Sequence, residues 1–345
     1  MSVLVSGATG FLGAYVVAQL VETGDEELVC LVRGADPQAR LEAALEPLLG
    51  RDWDRSRVRA VGADLAADGP LDVDVTDVTD IVHSAADVAF DRPLADARAI
   101  NVGGAERMAE LGIRAPRLRR YVHVSTAYVA GTHAGRFAED ELDMGQAFRN
   151  SYEQSKYEAE KLVRAAELPL RVVRPSIVVG ESASGWTSSF NVLYAPLQAL
   201  ARGLVKRVPA HPDALVDVVP VDHVSDVVLA ALHGGDEVPG DTLHAVAGED
   251  AYTAAGLAAL AAGLLDRPTP ELDPDGADLP PGGLEVYAPY FTVHTRFDAT
   301  GARGLGLAAP PLAEYLPRVL AFADDAQWGK RKPVDRLEDA RARAA

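Results

Sequence analysis

The sequence predicts an α/β fold: a doubly wound parallel sheet with a smaller, partly interleaved C-terminal lobe. Three observations lead there. Short apolar runs alternate with helical patterns through the first half of the chain. A glycine-rich turn joins the first run to the first helix. After about residue 175 the alternation gives way to glycine, proline and small residues. A chain of 345 residues is long enough for one large domain with a lobe, or for two domains.

The elements follow in order. Residues 3–5 form an apolar run that stops at Gly7, and residues 11–21 crowd apolar side chains as a buried helix does. Residues 27–32 read as a second strand, with further strands at 57–61, 80–83, 121–125 and 170–174. Helical stretches lie near 38–49, 94–112 and 151–167, and residues 222–232 read as one more helix of the main domain. Residues 266–283 are rich in Pro, Asp and Gly and read as a long loop, whereas 319–323 and 336–345 look like helical ends. The expected division is a dinucleotide-binding domain over 1–175, with a returning segment near 214–235, and a substrate-binding lobe over 176–345.

Composition excludes several classes. Hydrophobic residues make up 48% and charged residues 24%, as in folded globular proteins. A net charge of −18 argues against a general binder of nucleic acid or anionic membrane, which needs a basic face. Cys30 is the single cysteine, so no internal disulfide and no CxxC metal site can form. The eight histidines show no paired metal-ligand spacing, so no metal is expected. No run approaches a membrane span and nothing reads as a leader, so the expectation is a cytoplasmic enzyme.

Chemistry begins at Ser6-Gly7-Ala8-Thr9-Gly10-Phe11-Leu12-Gly13, between the first strand and the first helix. A pyrophosphate needs backbone N–H groups, close approach without a Cβ, and the positive end of a helix dipole. Glycines at 7, 10 and 13 supply the turn, the approach and the helix–strand packing. The spacing is GxxGxxG rather than GxGxxG, and its placement on a strand–helix turn gives it weight. This is a Rossmann-type arrangement. The second strand ends at Arg33, where a 2′-phosphate prefers an arginine and a ribose diol prefers a carboxylate, so NADP(H) is favoured over NAD. Asp36 lies three residues on. Asp64, with Leu65 beside it, sits where a carboxylate meets the adenine edge, although a plain loop aspartate fits as well.

Tyr152 and Lys156 are four apart, on one face of a helix. A free tyrosine has a pKa of about 10. A nearby ammonium favours the phenolate and is expected to bring the phenol toward the operating pH. Thr126, at the carboxyl end of the 121–125 strand, is the candidate second hydroxyl; of Thr126 and Ser125, strand alternation sends one into the site.

These residues resemble the extended short-chain dehydrogenase/reductases. Within them the chain is most similar to the branch holding fatty acyl-CoA reductases and the thioester-reductase domains of carboxylic acid reductases and nonribosomal peptide synthetases. The resemblance rests on the glycine turn, Cys30-Leu31-Val32-Arg33, His83-Ser84-Ala85-Ala86, Asn101-Val102-Gly103-Gly104 and Val124-Ser125-Thr126-Ala127-Tyr128-Val129. It continues through Phe148-Arg149-Asn150-Ser151-Tyr152-Glu153-Gln154-Ser155-Lys156, then Glu158, Glu160, Arg174-Pro175-Ser176, Gly180-Glu181-Ser182 and Val219-Pro220-Val221-Asp222. It implies Thr126, Tyr152 and Lys156 as the catalytic trio, Ala85 and Ala86 close to the cofactor, and Pro175 and Ser176 in a loop near the nicotinamide. It implies hydride transfer from NADPH to an acyl thioester on CoA or a carrier protein, giving an aldehyde and, with a second hydride, an alcohol. Three features depart from what the branch leads one to expect: a start almost at the first strand, without the N-terminal extension many members carry; a shorter segment over 63–80; and no attached adenylation or carrier domain.

Trp186, Phe190 and Asn191 follow the last main strand and are expected to wall an acyl pocket, with lobe core as the alternative for the two aromatic rings. Lys206 and Arg207 face a choice between a pantetheine phosphate and a solvated pair. Arg114, Arg117, Arg119 and Arg120 are either a docking patch for an acidic carrier or a solvated helix end. Asn101 either supports a proton-relay water or bonds backbone, His83 packs beside the cofactor strand, and Cys30 reads as buried and inert. The same trio serves ketone and aldehyde reductases and nucleotide-sugar epimerases; Arg33 speaks against the epimerase. A non-catalytic NADPH-binding regulator is the remaining alternative.

Overall fold

The computed structural model describes residues 1–67, 69–190, 192–274, 288–331 and 336. The first half runs β1 (Ser2–Ser6), α1 (Phe11–Thr23), β2 (Glu27–Val32), α2 (Pro37–Leu49), β3 (Val58–Gly62), β4 (Asp80–His83), α3 (Leu94–Arg114), β5 (Arg120–Val124), β6 (Gly135–Phe137), α4 (Ser151–Ala165) and β7 (Leu170–Pro175). The second half adds β8 (Ile177–Val179), α5 (Tyr194–Ala201), β9 (Arg207–Val208), β10 (Leu215–Val216), β11 (Val218–Pro220), α6 (Val221–His233) and β12 (Thr242–Ala245). It closes with β13 (Tyr252–Thr253), α7 (Ala254–Leu264), β14 (Glu271–Leu272), β15 (Thr295–Phe297), α8 (Thr300–Gly304) and α9 (Leu312–Asp325).

Seven strands form one parallel sheet in the order β3-β2-β1-β4-β5-β7-β12. The order reverses between β1 and β4, and ligands of such sheets bind at the carboxyl ends beside that reversal. Strands covered on both faces must be apolar throughout, which is why Val3-Leu4-Val5 and Leu28 to Val32 are buried without interruption. Helix α1 is apolar nearly all round because it lies between the sheet, α2 and α6. Asp36 caps α2 by accepting from the Ala39 N–H, with Pro37 at the first helical position.

The second half differs from expectation in three places. The main sheet continues past the 214–235 return, because β12 pairs with β7 at Thr242–Ala245. The stretch expected to be a loop over 266–283 contains β14, parallel to β9, and its residues 275–283 lie outside the described residues. The helical end expected at 319–323 is the C-terminal part of a longer amphipathic helix, α9. Of the 336–345 end, Arg336 alone is described, and it pairs with Glu181 and Glu22. One apolar cluster spans the sheet, α1 and α6; another fills the lobe around α5, α7 and α9, and Phe190 packs against both. Among the described residues no helix is long and apolar enough to cross a membrane.

Candidate active site

A cavity of about 710 Å³ opens at the carboxyl edge of the sheet. At one end it is lined by Gly7, Gly10, Phe11, Leu12 and Gly13; at the other by Thr126, Tyr152, Lys156, Pro175 and Ser176. Gly7 has φ +78°, and a Cβ there would sit 2.6 Å from the Ala85 nitrogen. A Cβ on Gly13 would lie 2.1 Å from the Gly7 carbonyl oxygen. Both positions therefore require glycine. Helix α1 starts from Gly10 with no side chain capping it, so its first-turn N–H groups are left for a ligand. A cradle without Cβ atoms at the positive end of a helix is what a pyrophosphate fits. Thr9 is exposed at the tip of the turn, Ala85 packs on Gly7, and Ala86 lines the cavity.

Beyond the cradle, Arg33 and Asp64 follow neighbouring strands that are in register at Val32 and Gly62. Arg33 is exposed. Asp36 is committed to the α2 cap, so Arg33 is the charged group at the β2 end left for a ligand. Arg40, one turn into α2, brings its guanidinium 3.0 Å from the Cβ position of Gly34 and adds a second cation there. Sequence reasoning passed over Arg40; its signal is the spacing from Arg33 to the first turn of the capped helix. Asp64 is exposed and accepts from the Ala66 N–H, and Leu65 packs toward Gly104.

Helix α4 carries Tyr152 and Lys156, the pair expected to do acid–base chemistry. Asn150 caps it, its Oδ1 accepting from the Glu153 N–H at 2.9 Å, while the Glu153 carboxylate accepts from the Arg149 N–H. The capped helix places Tyr152 and Lys156 on the cavity. Lys156 is 3% exposed and donates from Nζ to the Val124 carbonyl at 2.8 Å. Burial pushes its pKa down to about 8, against the pull of Glu160. Tyr152 is pushed up to about 12 by burial, with hydrogen bonding between its hydroxyl and Thr126 working the other way. This corrects the expectation that Lys156 lowers the phenol. The ammonium is turned to a backbone carbonyl and is itself desolvated, so burial dominates. Tyr152 is thus a neutral phenol at neutral pH, suited to donating a proton.

Thr126 Oγ1 donates to the Pro175 carbonyl at 3.3 Å and accepts from the Tyr128 N–H. Ser125 also lines the cavity, so the expected choice between the two hydroxyls is not a strict one. The strand ends at Val124, and residues past a strand end no longer alternate. Asn101 is committed on both sides: Oδ1 accepts from the Asp87 N–H, and Nδ2 donates to the Asp87 carbonyl and to Ser155 Oγ. It ties the loop after β4 to α4. Beneath the site His83 and Ser6 bond at 2.7 Å; burial and the Lys156 charge hold His83 neutral, at about 3. Cys30 is fully buried and its thiol is pushed up to about 12, so it is inert. Ser176 Oγ donates to buried Asp217, whose carboxylate also accepts from the Ala247 and Gly248 N–H groups.

The expected acyl wall is corrected. Trp186 is 1% exposed, sits in the main apolar core with its ring 6.1 Å from Phe11, and does not line the cavity. Phe190 packs edge-on to Tyr194 and against Gly329. Asn191 lies outside the described residues. The wall beside Tyr152 is made instead by Phe90, Tyr128, Tyr290, Ile177, Val178 and Val192. Three arginines of the basic cluster have local partners: Arg114 donates to the Leu71 and Val73 carbonyls, Arg117 pairs with Asp77, and Arg119 pairs with Asp80. Arg120 begins β5 and so lies at the amino edge of the sheet, opposite the cavity. Arg207 pairs with Glu271 and Asp273.

Comparison with known proteins gives the family and the fold. Residues 5–228 match the family model described as Male sterility protein, a family of NAD-binding domains. The chain is 33% identical over 245 residues to an isonitrile lipopeptide synthase of Streptomyces coeruleorubidus, covering 66% of this chain and 16% of that protein. It is 30% identical over 285 residues to human fatty acyl-CoA reductase 1, covering 67% of this chain and 54% of the relative. Among solved structures it is similar to the terminal R domain of the myxalamid PKS-NRPS biosynthetic pathway, at 25% identity and TM-score 0.78, covering 96% of this chain and 92% of that one. The chain thus spans about half, or much less, of the length of these curated relatives.

Proposed function

The chain belongs to the NAD-binding family described as Male sterility protein, and from that premise we propose that it is an NADPH-dependent reductase of acyl thioesters that yields an aldehyde. One observation carries the reading: a neutral phenol, Tyr152, shares a single cavity with a Cβ-free cradle at a helix N-terminus. The relatives, a lipopeptide synthase and a fatty acyl-CoA reductase, support a thioester as substrate, delivered by a carrier protein or by CoA. Arg33 and Arg40 favour the 2′-phosphate form of the dinucleotide.

Gly7, Gly10 and Gly13 would hold the pyrophosphate against α1, and Pro175 and Ser176 would flank the nicotinamide. When bound, the reduced nicotinamide supplies the hydride that the carbonyl carbon receives. Tyr152 gives its proton to the carbonyl oxygen, and Thr126, turning its hydroxyl from the Pro175 carbonyl, is the second donor at that oxygen; directed donors of this kind are commonly the largest share of barrier lowering. Lys156, buried on the Val124 carbonyl, keeps a positive charge near the developing oxyanion. The hemithioacetal then breaks its C–S bond as the hydroxyl proton moves to sulfur, releasing aldehyde and thiol. The acyl group rests against Phe90, Tyr128 and Tyr290.

The test is NADPH oxidation, followed by absorbance, with acyl-CoA, acyl-carrier and simple aldehyde or ketone substrates. Thioesters should be turned over and yield aldehyde. Tyr152→Phe should lose about 100-fold or more in kcat while binding NADPH as the parent does. Turnover confined to simple ketones, or near-parental activity in the phenylalanine variant, refutes the reading.

A further inference from the structure

The C-terminal lobe sends Tyr290 into the catalytic centre, beside Ile177, Val178 and Val192. Tyr290, in the turn Ala288–Thr292, is 2% exposed and lines the cavity. Its ring stacks on Phe90, centroids 4.9 Å apart and planes 20° apart, and meets Tyr128 edge-on at 4.7 Å. Its hydroxyl accepts from Asn150 Nδ2 at 3.1 Å. Those three partners come from three different segments: the loop after β4, the turn after β5, and the cap of α4. Each segment reaches Tyr152 in turn. The Phe90 ring lies 5.7 Å from the Tyr152 ring, and the Phe90 carbonyl accepts from Ser151 Oγ at 3.4 Å. Tyr128 donates its N–H to Thr126 Oγ1. Asn150 caps the helix on which Tyr152 is the second residue.

The consequence turns on the amide of Asn150. Its Oδ1 must face the Glu153 N–H to cap α4, and its half-buried Nδ2 then turns toward an acceptor on the protein. Tyr290 supplies that acceptor. A tyrosine hydroxyl from the lobe therefore fixes which way the cap points, and the cap fixes the first turn that holds Tyr152. We propose that Tyr290 is a positioning residue for Tyr152, through which the substrate lobe sets the aim of the proton donor; this rests on the reading of Tyr152 given above. An acyl group pressing on the Phe90–Tyr290 stack acts on the same side chain that holds the cap, so the lobe that selects the substrate also holds the donor in place.

Two variants separate the hydroxyl from the ring. Tyr290→Phe keeps the stack and removes the acceptor; Tyr290→Leu removes both. Hydrogen exchange of the Glu153 amide reports the cap without any substrate. In Tyr290→Phe, exchange there should quicken, and kcat should fall, each by about fivefold, the worth of one hydrogen bond. The acyl KM and the NADPH Kd should stay within about twofold. Tyr290→Leu should in addition raise the acyl KM by about tenfold through loss of the stacked ring. Parental exchange together with parental kcat in Tyr290→Phe overturns the proposal, as does quickened exchange spread evenly over the chain. If the parent protein reduces no thioester, the reductase reading fails, and the Glu153 amide still decides whether Tyr290 holds the cap.

Discussion

The two ends of the cavity are made of different material. The dinucleotide end is backbone: Gly7, Gly10 and Gly13 contribute by lacking a Cβ, and α1 contributes uncapped N–H groups. The end proposed to take the acyl group is side chain: Phe90, Tyr128 and Tyr290 arrive from three distant segments and meet only through the fold. A backbone site is all-or-none, because one added methyl strikes a fixed main chain. A side-chain wall is graded, because each ring contributes its own share of contact and its neighbours can shift.

That contrast predicts its largest effect at Gly13. A Cβ there would lie 2.1 Å from the Gly7 carbonyl oxygen, so the turn or the helix has to move. Overpacking of this kind costs about 1–3 kcal/mol. Here the displaced atoms are also the cradle itself. Gly13→Ala should therefore weaken NADPH binding by about 100-fold or more, measured by fluorescence titration, and lower Tm. An unchanged Kd would show that the turn yields, and the backbone end would then be as graded as the other.

The same contrast explains what could be read from the sequence. Buried parallel strands are short runs rich in apolar and β-branched residues, so β1, β2, β4, β5 and β7 were legible to within one residue at each end. The glycine turn was legible because its chemistry lies in adjacent residues. The Tyr152–Lys156 spacing was legible as one face of a helix, but not the direction of Nζ, which is set by the Val124 carbonyl on another element. Hence the expected lowering of the phenol pKa failed once burial was known. Trp186 failed for a related reason: a large aromatic after a strand gives no sign of whether it turns toward the core or the cavity. Tyr290 left no local signal, since its partners lie 140 or more residues away in the chain.

A middle-sized effect belongs to Arg33, a side chain at the backbone end. Charge-assisted hydrogen bonds are worth about 1.5–3 kcal/mol, or roughly 10- to 100-fold in Kd. Arg33→Ala should raise the Kd for NADPH by about tenfold, since Arg40 remains beside it, and leave that for NADH unchanged. Equal losses for the two cofactors would place Arg33 outside the 2′-phosphate site and return the choice of cofactor to other groups.

The smallest effect is expected on the graded wall, at Phe90. Its ring lines the cavity, stacks on Tyr290 and is half-buried, so truncation removes part of the contact and leaves the backbone in place. Burying a phenylalanine fully is worth about 1.5–3 kcal/mol, so a partly exposed one should cost about 1 kcal/mol, roughly fivefold in acyl KM. Phe90→Ala should show that rise with the NADPH Kd unmoved. Trp186→Phe supplies the contrast within the same assay: its ring sits in the core, away from the cavity, so Tm should fall while acyl KM holds. If Trp186→Phe shifts KM and Phe90→Ala does not, the acyl wall lies on the far side of α1 and the assignment of the two ends must be redrawn.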